Sequence, residues 1–254
     1  MSKLKEIFQQ HQGNIIHKWD HYFEVYEKHF SRFVNQKVVI VEIGVFKGGS
    51  LEMWQKYFGK DCEIIGIDIN PACKKFESDK VKIFIGDQGD EKFLQELKKS
   101  IPKVDIIIDD GSHMMTHIRK TFDVLYSWLD DNGVYLVEDL HTSYWYDYEG
   151  GYKRKSTFIE YSKGLIDQLN AWHSQQAKLE VNDFTKTTQS IHFYDSIVVF
   201  EKKRISQPTH SYAGNSDSSE ISAEAPRING WTKRVKNKMY KRWNIFLNKV
   251  FPRL

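Results

Sequence analysis

Five short apolar runs, each followed by a polar stretch long enough for a helix, set the frame for this chain. They are Val38 to Ile43 (VVIVEI), Glu63 to Asp68 (EIIGID), Val81 to Ile85 (VKIFI), Val104 to Asp109 (VDIIID) and Val134 to Glu138 (VYLVE). Near-continuous β-branched runs of this length are the pattern of parallel strands buried on both faces. Helical stretches alternate with them, Ser50 to Phe58 among them, and strand–helix–strand repetition gives right-handed crossovers and a sheet covered by helices on both sides. A long helix is expected from about Ser156 to Lys178. It is followed by Gln189 to Tyr194 and Ser196 to Glu201, joined through Asp195, a connection so tight that only antiparallel neighbours can make it. The expectation is one α/β domain over residues 38–203, with a seven-stranded, mostly parallel sheet and an antiparallel last strand.

The flanks read differently. Before the sheet, Ile7, Phe8, Ile15, Ile16, Trp19, Tyr22, Phe23 and Tyr26 recur at three- and four-residue spacing, which predicts an N-terminal helical cap of one or two amphipathic helices over 1–37. Residues 204–230 are rich in Ser, Pro, Gly, Ala and Asn and are expected to form a flexible linker. Residues 231–254 place Trp231, Val235, Met239, Trp243, Phe246, Leu247 and Val250 on one helical stripe among lysines and arginines. That segment holds eight Lys or Arg and no acid, so the net charge of +3 conceals −5 on the rest of the chain. A basic amphipathic helix can lie on an anionic membrane surface or dock on a partner. The mildly acidic body argues against a nucleic-acid partner, which would call for a basic face on the catalytic domain. Cys62 and Cys73 are too few for a disulfide framework, and neither a signal peptide nor a membrane-spanning run is present, so the cytoplasm is the expected compartment, with peripheral membrane contact through the C-terminal helix.

The tips of the strands carry the chemistry. The first ends in Glu42-Ile43-Gly44-Val45-Phe46-Lys47-Gly48-Gly49-Ser50. Its glycines let the backbone turn sharply against a ligand at the carboxyl edge of the sheet. The spacing, E-x-G-x-x-x-G-x-S, is not the G-x-G-x-x-G that offers a helix terminus to a pyrophosphate. Asp68 ends the second strand, where a carboxylate can accept both ribose hydroxyls of an adenosine, and Asp87 and Gln88 end the third, facing the adenine edge. Glu42, Gly44, Gly48, Ser50, Asp68, Asp87 and Gln88 are thus the candidate cofactor contacts. Ile106-Ile107-Ile108-Asp109-Asp110-Gly111-Ser112-His113 and Val137-Glu138-Asp139-Leu140-His141 deliver four carboxylates and two imidazoles to one edge. Unpaired acids there would be costly, and a hard divalent cation such as Mg²⁺ is the natural remedy. His113 and His117 are four apart, as in a zinc helix, but the glutamate of a metalloprotease is missing between them. Tyr144, Trp145, Tyr146 and Tyr148 form an aromatic loop able to stack on a sugar face.

The glycine spacing resembles motif I of S-adenosylmethionine methyltransferases. IDDGSH followed by WLDDNGVYLVEDLHTSYW resembles the metal-dependent macrolide-sugar O-methyltransferases of the mycinamicin and tylosin type, and the related proteins named cephalosporin hydroxylases, over roughly Val38 to Gln176. The resemblance implies a Rossmann-like class I methyltransferase fold, S-adenosylmethionine and Mg²⁺ as cofactors, and a sugar hydroxyl of a glycosylated natural product or surface glycan precursor as acceptor. It implies metal ligands at Asp110, Glu138 and Asp139, a general base at His113 with metal-assisted deprotonation of the hydroxyl, Asp110 counting with His113 as catalytic, and Asp109 nearer the cofactor. His141, Tyr144 and Trp145 become candidate acceptor contacts. A metal-dependent hydroxylase and a non-catalytic nucleotide-binding module stay open as alternatives, as do a homo-oligomer and the identity of the acceptor.

Overall fold

The structure is a computed structural model, and it describes residues 2–101, 103–214 and 239. Seven strands form one sheet in the order β3-β2-β1-β4-β5-β7-β6. Strands β1 (Val39–Ile43), β2 (Glu63–Asp68), β3 (Val81–Ile85), β4 (Val104–Asp109) and β5 (Leu129–Val137) run parallel. β7 (Ile197–Lys202) enters between β5 and β6 (Thr188–Tyr194) and is antiparallel to both. The strand order reverses at β1, which pairs with β2 on one side and β4 on the other, so a crevice opens beyond the tips of β1 and β4.

Period-two alternation divides the strand side chains between two cores. Ile106 and Ile108 of β4 pack with α1 (Lys3–Gln9), α2 (Tyr22–Phe30) and α3 (Gly49–Phe58). Ile107 packs on the other face with α4 (Glu91–Ser100), α5 (Met115–Leu125) and α6 (Phe158–Leu169). Trp54, fully buried, meets Tyr26 edge-on at 5.2 Å and Phe30 at 5.9 Å, so the N-terminal helices share the core of the sheet. Each such ring contributes roughly 1.5–3 kcal/mol by burial.

The N-terminal pattern resolves into two helices separated by residues 10–21. Gly13 in that connection lies so close to helix α3 that a Cβ would overlap the Glu52 carboxylate. The helix expected from Ser156 to Lys178 is shorter: α6 ends at Leu169, and a 3-10 turn follows over Ala171–His173. The Asn170 side chain donates to the Ile166 carbonyl, and Thr185 Oγ donates to the Gln168 carbonyl at 2.8 Å, so partners outside the helix take carbonyls that a longer helix would use. A short helix α7 (Asp183–Thr187), closed by an Asn182–Thr185 capping box, then leads into β6. β5 begins at Leu129, before the expected Val134, with irregular register against β4 between Val104 and Ile106.

Contacts divide the chain into Met1–Pro208, which holds the whole sheet, and Thr209–Leu254. Apart from Met239, the basic helix expected over 231–254 lies outside the described residues, as does most of the linker expected over 204–230. Among the described residues no helix is long and apolar enough to cross a membrane.

Candidate active site

A cavity of about 480 Å³ opens at the switch point, walled by Gly44, Phe46, Asp68, Gln88, Asp110 and His113 among others. Its floor is the turn after β1. Gly44 has φ 93°, and a Cβ there would stand 2.0 Å from the Asp110 carbonyl, so only glycine lets the tips of β1 and β4 approach this closely. Asp68, at the end of β2, ties the turn down: its Oδ2 accepts from the Val45 and Phe46 amides at 2.9 and 3.0 Å, and its Oδ1 from Asn70 at 2.8 Å. Asp87 lines the same wall and accepts from the Gly89 amide at 2.7 Å. Gln88 is buried and bridges strands, donating to Asp109 Oδ1 at 3.0 Å and accepting from Ser112 N at 2.6 Å.

Several motif residues stand behind this wall. Glu42 is fully buried and accepts from Ser50 Oγ at 2.9 Å and Trp54 Nε1 at 3.1 Å, so Glu42 and Ser50 satisfy each other between β1 and α3. Burial pushes the Glu42 carboxyl upward. Gly48 caps α3 in left-handed conformation beneath the Phe76 ring. Asp109 is also buried, and burial raises its carboxyl to about 7. Its Oδ2 has no hydrogen-bond partner.

Asp110, His113 and Asp139 converge at the cavity mouth, each offering one ligating atom within 4.8 Å of the others. His113 Nε2 lies 3.8 Å from Asp139 Oδ2, and Tyr22 donates to Asp139 Oδ1 at 2.7 Å. Glu138 is almost wholly buried beside them. Burial and the neighbouring Asp110 charge lift its carboxyl to about 8, against the pull of Lys18. Its Oε1 has no hydrogen-bond partner, while its Oε2 accepts from Lys18 Nζ at 2.8 Å. The same ammonium donates to Asp110 Oδ2 at 2.5 Å. Burial alone would lower the Lys18 pKa, but the charges of Asp110 and Glu138 hold it well above its ordinary value. The donor set fits a divalent ion: carboxylate oxygens predominate, one buried oxygen lacks any partner, and a cationic group already sits between two of the acids.

Lys18 was not legible as a site residue. It falls within the amphipathic N-terminal pattern, where it reads as a solvent-facing position, and only the Gly13-Asn14 pair hints that the chain leaves the helix there. His17, which lines the cavity, was missed for the same reason. From His113, which lines the cavity, a chain of rings leads outward: His113 to Tyr148 at 6.2 Å, Tyr148 to Trp145 at 5.9 Å, Trp145 to His141 at 4.7 Å and His141 to Trp19 at 5.7 Å. Trp19, Tyr144 and Trp145 are each about half exposed. The turn between β6 and β7 holds this loop in place: the Ser196 carbonyl accepts from Leu140 N at 2.9 Å, and its hydroxyl accepts from His141 N at 3.0 Å.

No family model matches the sequence. Curated relatives do. The 8-demethyl-8-alpha-L-rhamnosyl tetracenomycin-C 2'-O-methyltransferase of Streptomyces olivaceus is 36% identical over 191 residues, covering 72% of this chain and 50% of that protein. The mycinamicin VI 2''-O-methyltransferase of Micromonospora griseorubida is 33% identical, over 70% of this chain and 47% of its own length. The chain thus spans about half the length of the curated relatives it matches. Among solved structures, the MycE methyltransferase from the mycinamycin biosynthetic pathway, in complex with Mg and SAH, superposes with a TM-score of 0.73 at 28% identity, covering 80% of this chain and 55% of that one. The same enzyme with mycinamycin VI also bound gives 0.72 at 28% identity, over 80% and 54% of the two chains. The chain is therefore a homologue of the macrolide and tetracenomycin sugar O-methyltransferases, built on the class I methyltransferase fold.

Proposed function

We propose that this protein transfers the methyl group of S-adenosylmethionine to a sugar hydroxyl of a glycosylated small molecule, with a divalent ion, Mg²⁺, in attendance. The observation that carries the reading is the meeting of Asp110, His113 and Asp139 at the mouth of a cavity floored by the Gly44 turn and Asp68. The relatives named for methylating a rhamnosyl tetracenomycin and mycinamicin VI support it, as does the neighbour solved with Mg and SAH.

In this reading the cavity takes the adenosine and methionine parts of the cofactor. Asp68 and Asp87, at neighbouring strand tips, accept from ribose and adenine groups, and Gly44 lets the backbone approach without a side chain between. Asp110, Glu138 and Asp139 would hold the ion, which would supply Lewis-acid stabilisation of the negative charge that develops on the acceptor oxygen. His113, held beside Asp139, accepts the proton of the acceptor hydroxyl at Nε2 as the oxygen attacks the methyl carbon, and Asp139 steadies the imidazolium that results. Trp19, His141 and Trp145 present ring faces to the sugar and its apolar aglycone. Alignment of oxygen, methyl carbon and sulfur supplies most of the remaining acceleration.

A hydroxylase built on non-haem iron would want two imidazoles and one carboxylate at the site. Here a single imidazole meets two carboxylates. The group His29, His192 and Glu201 has the two-histidine composition, but none of the three lines the cavity, and Arg32 already neutralises Glu201 at 2.7 Å.

The test is incubation of the full chain with S-adenosylmethionine, Mg²⁺ and a panel of deoxysugar-bearing polyketides. Mass spectrometry should find acceptors in which one hydroxyl hydrogen is replaced by a methyl group, a net gain of CH2, together with S-adenosylhomocysteine. Failure of S-adenosylhomocysteine to bind in calorimetry would overturn the reading.

A further inference from the structure

The connection between α1 and α2 is largely open to solvent, with Ile15 59% and Trp19 52% exposed, yet the Lys18 side chain between them is only 3% exposed. The segment is pinned on one side, where Asn14 Nδ2 donates to Glu52 Oε1 at 2.5 Å and the Asn14 and Ile15 carbonyls press against Gly49 so closely that no Cβ would fit there. From that anchor Lys18 reaches inward and donates to Asp110 Oδ2 and Glu138 Oε2, two of the three carboxylates proposed to hold the ion. A long side chain loses most of its rotamer freedom in such a pose, and an ammonium leaves water only where anions replace the lost hydration. The carboxylate pair is what holds it there.

A divalent ion needs the same oxygens by direct coordination, and a cation already hydrogen-bonded to them repels a second one placed a few ångströms away. Resting on the reading of the site as a metal centre, we propose that Lys18 is a built-in competitor for it: a tethered ammonium that occupies Asp110 and Glu138 and that withdraws, with residues 15–19 moving away, when the divalent ion binds. Lys18 thereby sets the metal affinity of the site. It also couples metal loading to the wall of the acceptor mouth, because Trp19 is its direct neighbour and packs at 5.7 Å from His141. Without the ion, Lys18 neutralises acids that would otherwise repel one another, so the strand tips stay in register for loading.

The experiment is calorimetric titration of the full chain with Mn²⁺, wild type against Lys18→Met, paired with Mg²⁺ titration followed by tryptophan emission in wild type against Trp19→Phe. Removing the competitor should lower the Mn²⁺ Kd at least tenfold. Mg²⁺ should shift the emission of the wild type and not that of Trp19→Phe, a readout that does not depend on how well the Lys18 variant folds. Wild-type Mn²⁺ binding with an equal or weaker Kd in Lys18→Met, or no Trp19-dependent shift, would overturn the role of Lys18 and leave the metal centre standing. Absence of Mn²⁺ binding from both proteins would overturn the metal centre itself.

Discussion

His113 and Asp139, at the ends of neighbouring strands, face each other across 3.8 Å with both backbones left-handed, at φ 57° and 53°. Side chains other than glycine seldom adopt this region, and each such residue costs about 1–3 kcal/mol that the surrounding fold must offset. Other non-glycine residues adopt it too, Asn35 and Lys153 among them, but His113 and Asp139 face each other at the cavity, where the cost fits a place in which chemistry outweighs stability. Asparagine tolerates left-handed backbone but offers no imidazole. His113→Asn is therefore expected to keep the melting temperature and S-adenosylhomocysteine affinity of the parent while kcat falls by ~10²–10⁴. Turnover within tenfold of wild type would remove His113 from the role of base.

Metal dependence should appear as loss at the acids and not at the cofactor pocket. Asp139→Asn preserves the acceptor for the Tyr22 hydroxyl but removes a charge from the ion's surroundings. Mn²⁺ affinity should drop by about 10–100-fold, with S-adenosylhomocysteine binding little changed. A chelator should abolish methyl transfer and restored Mg²⁺ should recover it; activity that survives chelation contradicts the proposal.

Asp68 has two tasks, clamping the turn after β1 and facing the cavity. Hydrogen bonds to a charged acceptor contribute roughly 1.5–3 kcal/mol each. Asp68→Asn should weaken S-adenosylhomocysteine by at least tenfold in calorimetry. An affinity equal to wild type would separate Asp68 from cofactor recognition.

Trp145 contacts His141 in the ring chain and has about half of its surface open to solvent. Trp145→Ala should raise the KM for the acceptor several-fold and leave the KM for S-adenosylmethionine alone. The opposite split would place Trp145 on the cofactor side.

Glu201 supplies a pH-dependent element far from the cavity. Burial by itself would raise its carboxyl, but the hydrogen bond with His29 and the Arg32 guanidinium outweigh it and bring the pKa down from 4.5 to about 2. A carboxyl depressed in the folded state adds stability that is complete above the unfolded value and is lost as pH falls from 4.5 through about 2. Between about pH 6 and pH 3 the wild type should lose more stability to urea than Glu201→Gln does. Equal losses would show that the pair adds nothing.

The strands were legible because burial on both faces leaves an unbroken apolar signature in β1, β2 and β4, and the parallel order followed from the helices between them. The acids at the strand tips were legible for the same reason, since parallel neighbours deliver their ends to one edge. What the motif could not reveal is where each acid points. Glu42 belongs to the glycine motif, yet Trp54, twelve positions on, captures it inside the core. The end of α6 depended on Thr185 reaching back to Gln168, a tertiary contact with no local signal. Lys18 was hidden by its neighbours: among Ile15, Ile16 and Trp19 a lysine looks like the polar side of a helix, and its burial arises only once the chain straightens after Gly13.

The Ser196 turn, which holds Leu140 and His141 from the neighbouring strand pair, bears on the order in which the molecule can be made. The loop that follows β5 emerges from the ribosome more than fifty residues before the turn that fixes it. Until that hairpin is synthesised and β7 slides in beside β5, the ring chain lacks its fastening, so a nascent chain acquires a complete aromatic wall only when the last strand is in place.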